Sequence, residues 1–323
     1  MRSDTLWGAI CWGVKMLYGE QRLLDFIKSY TAEASTVEAK PIYISSAFPY
    51  LEVAGQKELY LPRPLLRLEE KGFEEGGTFS ETIQKSRAQK YSHPNPLMTL
   101  SEFRAADWAP GETDKNRAYP TVSVDPMTHN TIDRLTGSTL SSNGRGQLFH
   151  TEERRVYPAW PKSVEEKGEA KAGLYFLAHG DTDTLKAVLR LLEHYGIGGD
   201  RSSGKGRFDI AWGEEPMEIP EPGDANAQLA LSLYHPTQSE LQQYEQEPNT
   251  SPLQYKTVVR QGWKAASLKK PTLYFEEGSV FPLVDGQQPN RLGKNAFGGK
   301  HEAGHDITQY GFGFMINVKV PTS

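Results

Sequence analysis

A segment with five glycines, GIGGDRSSGKGRF at residues 196 to 208, constrains the fold more than any other part of the sequence. It follows a helical pattern, DTDTLKAVLRLLEHYG, and precedes RFDIAW, whose alternating apolar residues predict a strand. A segment this rich in glycine can turn sharply and bring its backbone close to a ligand, because glycine has no Cβ. The sequence therefore predicts a glycine loop that leads from a helix into a strand.

The glycine loop is close to a phosphate-binding P-loop. Gly199, Gly204 and Lys205 have the motif spacing, but Gly206 stands where a Ser or Thr hydroxyl would hold magnesium. A P-loop also leads from a strand into a helix, the reverse of the order expected here. Both departures argue against a nucleotide site. Two interpretations stay open: the glycines only turn the chain, or their amides and nearby cations follow the phosphates of a nucleic acid.

The first two thirds of the chain predict an α+β domain. Apolar residues recur at helical spacing over residues 3 to 30, with a break at Gly19. Residues 42 to 48 and 172 to 179 predict strands, and Asp181 predicts the N-cap of the helix before the glycine loop. The order is that of a ferredoxin-like βαββαβ unit, except that the chain opens on the helix and the leading strand is missing.

A segment rich in proline and acidic residues predicts the domain boundary. Residues 214–225 form this linker, between a first domain at 1–213 and a second α+β domain at 226–323. The first domain carries an insertion at about 50–170, whose strand patterns TVSV and QLFHT predict a long β-hairpin. Such a hairpin can wedge into a nucleic acid, and a disordered surface loop is the alternative that stays open.

Composition narrows the classes of function. No apolar run approaches the roughly 20 residues that a membrane-spanning helix needs, and a lone Cys11 predicts a reducing, cytoplasmic location. The net charge is −5, but residues 256 to 270 carry five cations and no acid, and residues 85 to 90 carry three cations. Each basic stretch is either a nucleic-acid surface or a solvated face. We expect no cofactor.

A literal zinc-protease motif, HEAGH at residues 301 to 305, does not predict a metal site. Its surroundings are rich in glycine and poor in helix formers, and no His or Glu follows as a third ligand. Histidines elsewhere are scattered, so no general base follows from spacing. Cys11 lies in the apolar stretch of the first helix, where packing is its expected role.

Several motifs in combination resemble RAMP-superfamily CRISPR proteins. SDTLWGAIC at residues 3 to 11 is similar to the signature at the start of the family's first helix, and HNTIDR at residues 129 to 134 is similar to an element that opens an insertion. The glycine loop and the closing QYGFGFMINV also match in place. The resemblance spans nearly the whole chain and is strongest to the Cas-five-like subunits of type III-A (Csm) effector complexes.

The resemblance implies two ferredoxin-like (RRM-like) RAMP domains, the first with a thumb hairpin and a glycine-rich loop. It implies a non-catalytic subunit that binds the 5′ handle of the crRNA. The partners implied are the large Cas-ten-type polymerase/cyclase subunit, the backbone RAMP subunit and, indirectly, target RNA. The implied RNA-binding residues are Ser3, Asp4, His129, Asn130, Arg134, Gly198, Gly199, Arg201, Ser202, Ser203, Gly204, Lys205 and Gly206.

Two alternatives remain at this point. One is a Cas-six-type endoribonuclease that cuts repeat RNA with a histidine such as His129 or His179. In those enzymes the glycine loop lies near the chain end, whereas here it precedes a whole predicted domain. The other is a protein scaffold that contacts no RNA.

Overall fold

The computed structural model describes sixteen stretches of the chain. They are residues 1–31, 34–66, 96–105, 118–130, 132–133, 135–139, 141–142, 145–146, 148–160, 168–213, 216–219, 221–246, 253–264, 267–283, 292–300 and 306–320. Of the predicted features, the basic stretch at 85–90, Arg134 and the HEAGH motif lie outside the described residues.

Helices and many short strands alternate along the chain, so the mixed α+β class is confirmed. The helices are α1 (Ser3–Lys28), α2 (Leu100–Arg104), α3 (Thr182–Tyr195) and α4 (Gln238–Gln246). The strands are β1 (Ile42–Ile44), β2 (Phe48–Val53), β3 (Gln56–Pro62), β4 (Leu97–Thr99), β5 (Tyr119–Asn130), β6 (Ser141–Ser142), β7 (Arg145–Gly146), β8 (Leu148–Ala159), β9 (Ala170–Tyr175), β10 (Ala178–Gly180), β11 (Ala227–Ala230), β12 (Thr257–Arg260), β13 (Trp263–Lys264), β14 (Ser267–Leu268), β15 (Thr272–Phe275), β16 (Val280–Pro282), β17 (Leu292–Gly293), β18 (Ala296–Lys300), β19 (Asp306–Gln309), β20 (Phe312–Gly313) and β21 (Met315–Val318).

Contacts divide the chain into two compact units. The first contains Met1–Phe48, Leu61–Gly111 and Phe176–Ser323, and the second contains Pro49–Tyr60 and Glu112–Tyr175. The proposed domain boundary at residues 214–225 falls within the first of these units, and the division of the chain at that linker stays a prediction.

The core of the first unit lies between the two long helices and the β1–β10 pair. Apolar residues of α1 and α3 meet there with residues of β1, and Tyr310 and Phe312 from the end of the chain join them. The Ile44 backbone N–H donates a hydrogen bond to the Tyr310 hydroxyl oxygen at 3.1 Å. The last strands of the chain therefore complete the core that the first helix begins.

The remaining strands of the first unit form small antiparallel sheets. β11 lies at the centre of a three-stranded sheet, with β16 on one side and β21 on the other. β12 pairs with β15, β13 with β14, β17 with β20, and β18 with β19. A second apolar cluster packs against α4, and its members are Ala230, Tyr234, Tyr244, Phe281, Leu292 and Met315.

The second unit consists of two antiparallel sheets and a small hairpin. β2 lies between β3 and β9, and β6 pairs with β7. β5 and β8 pair along all of their 12 residues, from Tyr119↔Ala159 to Asn130↔Leu148. At about 3.4 Å per residue, this long hairpin measures roughly 40 Å, so the predicted hairpin is confirmed.

Several local predictions are confirmed and others are wrong. Asp181 caps α3, as its position predicts, because its carboxylate accepts a hydrogen bond from the Thr184 N–H at 3.1 Å. The predicted strand at 207–212 is wrong, because those residues pair with no strand in the described part of the chain and the Ile210 N–H donates instead to the Glu193 carboxylate at 2.6 Å. The predicted break at Gly19 is a kink (φ +86°) inside α1 rather than an end.

α1 packs tightly against α3 at Gly13. A Cβ at this position would lie 2.5 Å from Cγ1 of Val188, well inside van der Waals contact. Gly8, which also lies on α1, is exposed, and a Cβ there would meet nothing within 4 Å. The two helical glycines therefore differ in packing but share the same low helix propensity.

We expect the substitution Gly13→Ala to destabilise the protein relative to Gly8→Ala. Both changes gain helix propensity, but only the first overpacks the helix contact, so its free energy of unfolding should be lower by about 1–3 kcal/mol. Urea denaturation measures the difference. The penalty should shrink in a Val188→Ala background, and equal stability of the two glycine variants would contradict the packing argument.

Candidate nucleic-acid interface

The neck of the glycine loop is closed by the backbone. The Ile197 N–H donates to the Gly206 carbonyl oxygen at 2.9 Å. Gly206 has φ +71°, and a Cβ there would lie 2.0 Å from the Ile197 carbonyl oxygen. Only glycine fits this position, because any side chain would collide with backbone that cannot move aside. The neck thus brings the two ends of the loop together just after α3.

The tip of the loop is open. A Cβ at Gly198, Gly199 or Gly204 would meet nothing within 4 Å. Within the described part of the chain, the N–H groups of Gly198 and Gly199 have no backbone or side-chain acceptor. An anionic group, such as a phosphate of a nucleic-acid chain, can therefore approach the backbone of the tip closely.

The rest of the tip is ordered by its own hydrogen bonds. A 3-10 turn at Arg201–Ser203 is held by the Asp200 carbonyl oxygen, which accepts from the Ser203 N–H at 3.0 Å and the Ser203 hydroxyl at 2.7 Å. The Gly204 N–H donates to the Arg201 carbonyl oxygen at 3.0 Å. The Ser203 hydroxyl proton is therefore used inside the loop, although the oxygen can still accept.

Two cations flank the tip. Arg201 is exposed, and its guanidinium lies 4.2 Å from the centre of the Trp12 ring on α1. Lys205 is half-buried beside the neck, and its backbone N–H donates to the Asp200 carbonyl oxygen at 3.4 Å. Arg201 is thus held by an aromatic ring rather than by an acid, which leaves its charge available to a ligand.

Ser3 and Asp4 occupy the first turn of α1, but their side chains are used inside the protein. Ser3 is fully buried; its N–H donates to the Ser46 Oγ at 2.9 Å, and its Oγ accepts from the Leu233 N–H at 3.1 Å. Asp4 is held by Arg260, whose Nε and Nη2 donate to the two carboxylate oxygens at 2.9 and 3.1 Å. Direct RNA contacts by these two residues stay a prediction.

A cationic group that the motifs did not identify lies beside the same helix. Burial lowers the pKa of Lys269, and the nearby Asp4 carboxylate acts in the opposite direction. Burial also raises the pKa of Cys11, so its thiol stays protonated in a packing role. The basic stretch at 256–270 was the sequence signal for Arg260 and Lys269, but their place beside α1 could not be read from it.

The hairpin residues lie in the second unit. The His129 Nε2 is 2.7 Å from the Thr151 Oγ1, across the hairpin from it, and the Asn130 amide donates to the Thr139 Oγ1 at 2.9 Å. Arg134 lies outside the described residues. The side chain of Asn130 is exposed, whereas that of His129 is half-buried. Both side chains are therefore positioned by hydrogen bonds to threonine hydroxyls within the second unit.

The described residues do not form a metal site or a membrane-spanning helix. In the described ranges, no group of three or more His, Cys, Asp or Glu residues could hold a metal ion. Among the same residues, no helix is long and apolar enough to cross a membrane. A P-loop interpretation of the glycine loop fails on context as well, since an extended segment rather than a helix follows it.

Comparison with known proteins points to one family. No protein-family model matches the chain. A Thermococcus onnurineus protein named CRISPR system Cms protein Csm4 is 25% identical over 330 aligned positions, which cover 99% of this chain and 92% of that protein. A Mycobacterium tuberculosis protein of the same name is 34% identical over 137 positions, or 39% of this chain and 44% of the relative.

The fold is also similar to a solved structure. The crystal structure of the Csm3-Csm4 subcomplex in the type III-A CRISPR-Cas interference complex contains a chain that matches with a TM-score of 0.53 and 14% identity, covering 99% of this chain and 94% of that one. The chain is therefore similar in sequence, along nearly its whole length, to a protein named Csm4, and it shares the fold of a chain in that subcomplex.

The loop geometry predicts opposite outcomes for two glycines. Gly206→Ala should lower the free energy of unfolding by about 2 kcal/mol or more, because it adds backbone strain and a collision with the Ile197 carbonyl. Gly199→Ala should change it by less than about 0.5 kcal/mol, because its Cβ would face open space. Chemical denaturation of both variants measures this, and equal losses would show that the tip is packed.

Proposed function

We propose that this chain is a non-catalytic subunit of a type III-A CRISPR-Cas (Csm) effector complex that takes part in antiviral defence. It binds and caps the 5′ repeat-derived handle of the crRNA. The observation that carries the proposal is the open tip of the glycine loop, where unpaired N–H groups of Gly198 and Gly199 lie beside the exposed Arg201. Its full-length similarity to proteins named Csm4 supports the same assignment.

A strand of RNA fits the loop tip better than a mononucleotide does. Backbone amides and arginine are the groups that contact nucleic-acid phosphates in proteins generally. Because the loop offers no hydroxyl at Gly206 for magnesium, it has no means of orienting a nucleotide triphosphate as a P-loop does. The residues proposed to contact handle phosphates are Gly198, Gly199, Arg201, Ser202, Ser203, Gly204, Lys205 and Gly206, with Ser3 and Asp4 alongside and His129, Asn130 and Arg134 on the hairpin.

The net charge of −5 is compatible with this function. RNA affinity depends on the cations near the phosphates rather than on the total charge of the protein. In the first unit, Arg201 and Lys205 belong to the loop, while Arg260 and Lys269 lie beside the start of α1. Asp4 neutralises Arg260, so we assign the main electrostatic role to the loop cations.

We further propose that the chain bridges the large Cas-ten-type polymerase/cyclase subunit and the backbone RAMP subunit, and that it contacts target RNA only indirectly. A chain of similar fold was solved in a Csm3-Csm4 subcomplex, which supports a RAMP subunit as partner. The 40 Å hairpin of the second unit exposes one face along most of its length, while the residues of the opposite face of its first strand are half-buried. Such a hairpin suits insertion into an assembly.

The runner-up function is a Cas-six-type endoribonuclease. Its base would have to be a histidine such as His129 or His179. The His129 ring is occupied with Thr151, and the His179 ring stacks on Tyr43 with 4.8 Å between ring centres. Neither arrangement presents the imidazole as a base would need, so we favour a binding role.

Replacing both loop cations, Arg201→Ala with Lys205→Ala, should weaken binding of single-stranded handle RNA and reduce its dependence on salt. The slope of log K against log salt should fall by roughly 0.7 for each phosphate contact that is lost. Titrations at several salt concentrations measure it. The matched control removes the exposed Lys28 and Lys186, at the end of α1 and the start of α3, and should leave the slope unchanged.

A charge-neutral variant separates backbone approach from electrostatics. Gly199→Ala should lower the affinity without altering the salt slope, because its Cβ obstructs the loop tip but removes no cation. An unchanged slope in the double cation variant would argue against the loop as an RNA site.

Incubation of the purified protein with repeat RNA tests the runner-up. We expect no specific cleavage, and no difference between the protein and its His129→Ala and His179→Ala variants. Specific cleavage that disappears with one of these histidines would establish the endoribonuclease instead. Gel analysis of end-labelled RNA is the measurement.

A further inference from the structure

Trp12 lies beside Arg201 of the glycine loop. The phosphate contacts proposed above do not require an aromatic residue at this place. It lies on α1, and its ring contacts two residues from the end of α3 and the loop that follows. The Arg201 guanidinium is 4.2 Å from the ring centre, and the Tyr195 ring meets it edge-on with 5.3 Å between centres and an interplanar angle of 66°. The two rings and the guanidinium form one group, which we call the Trp12 platform.

The outer part of this platform faces solvent. Arg201 is exposed and Tyr195 is 48% exposed, whereas Trp12 is partly covered by the core of the first unit. The unpaired N–H groups of Gly198 and Gly199 lie only a few residues along the same loop. A ligand that reaches the loop tip therefore also meets the platform.

A guanidinium that lies against an aromatic ring is restricted in orientation. One of its faces is covered by the ring, while the opposite face and the N–H groups along its edge stay available. Proteins that bind single-stranded RNA use such planes to stack unpaired bases, and the same N–H groups can donate to phosphate. Arg201 has the chemistry to do both at once.

We propose, resting on the function proposed above, that Trp12 is a positioning residue for RNA binding. It holds the Arg201 guanidinium flat, so that the outer face of Arg201 stacks on one base of the bound strand while its edge contacts the neighbouring phosphate. The loop tip then holds the backbone of the strand and the platform holds one base beside it. This contact depends on the presence of a base and not on its identity.

The chain contains a matched control for this arrangement. Trp212 and Lys186 form a second cation–ring contact in the first unit, at 5.9 Å, and Trp212 is 37% exposed. Lys186 precedes Tyr195 by nine residues on α3, which is about 14 Å along the helix. Removing this second ring should not affect RNA bound at the glycine loop.

The test compares Trp12→Leu, Trp12→Phe, Arg201→Lys, the double variant W12L/R201K and the control Trp212→Leu. Each is titrated with single-stranded handle RNA at several salt concentrations. We expect W12L and R201K to weaken binding by roughly three- to tenfold with the salt slope unchanged, because neither removes a charge. The double variant should bind no more weakly than R201K alone, W12F should recover most of the affinity, and W212L should bind as the parent protein does.

A second measurement uses RNA in which single nucleotides lack their base. One abasic position should weaken binding to the parent protein and make no difference to R201K. This measurement supports the proposal even if W12L, whose ring packs partly against the core, proves to be unfolded in a thermal melt.

Three outcomes would overturn the proposal: R201K binding as tightly as the parent protein, additive effects of W12L and R201K, or no abasic position that matters. If the double cation variant still reduces the salt slope in that case, the loop remains an RNA site and only the stacking contact fails. If the parent protein binds no RNA at all, the proposed function fails together with this inference.

Discussion

The hydroxyl of Ser3 is the contact on which the arrangement of the first unit depends. It accepts from the Leu233 N–H, while the Ser3 N–H donates to the Ser46 hydroxyl, and that hydroxyl donates to the Glu277 carboxylate. A buried polar group left without a partner costs about 1–3 kcal/mol, so this small network fixes the start of α1 against two distant parts of the chain. Because α1 also carries Trp12 and Asp4, the position of the candidate interface follows from the same network.

Elements whose signals are local could be predicted from the sequence. The stripe of Leu185, Val188, Leu189 and Leu192 defines α3, and its Asp181 cap acts only three residues away. The extended segment at 207–212 shows the limit of such patterns. Phe208 and Ile210 alternate as in a strand and do pack against the core, but a strand also needs a neighbour to pair with, which depends on the rest of the fold.

The candidate site also has one part that local sequence signals predict and another part that depends on the rest of the fold. The glycine loop was predictable because its spacing and its place after a helix are local properties of residues 196 to 208. The partners of α1 were not, since Arg260 is separated from Asp4 by 256 residues and Arg201 from Trp12 by 189 residues. The Ser3 position was identified by its motif, but only the fold reveals that its hydroxyl is buried.

The closed neck of the glycine loop has a consequence for how such a protein can change over time. The hydrogen bond between Ile197 and Gly206 closes the base of the loop, so a change at Gly199, where a Cβ would meet nothing within 4 Å, leaves the neck intact. Under the function proposed above, related proteins can therefore differ at position 199 while keeping the scaffold intact. The neck therefore separates a position that the fold fixes, Gly206, from one that the fold leaves open to change, Gly199.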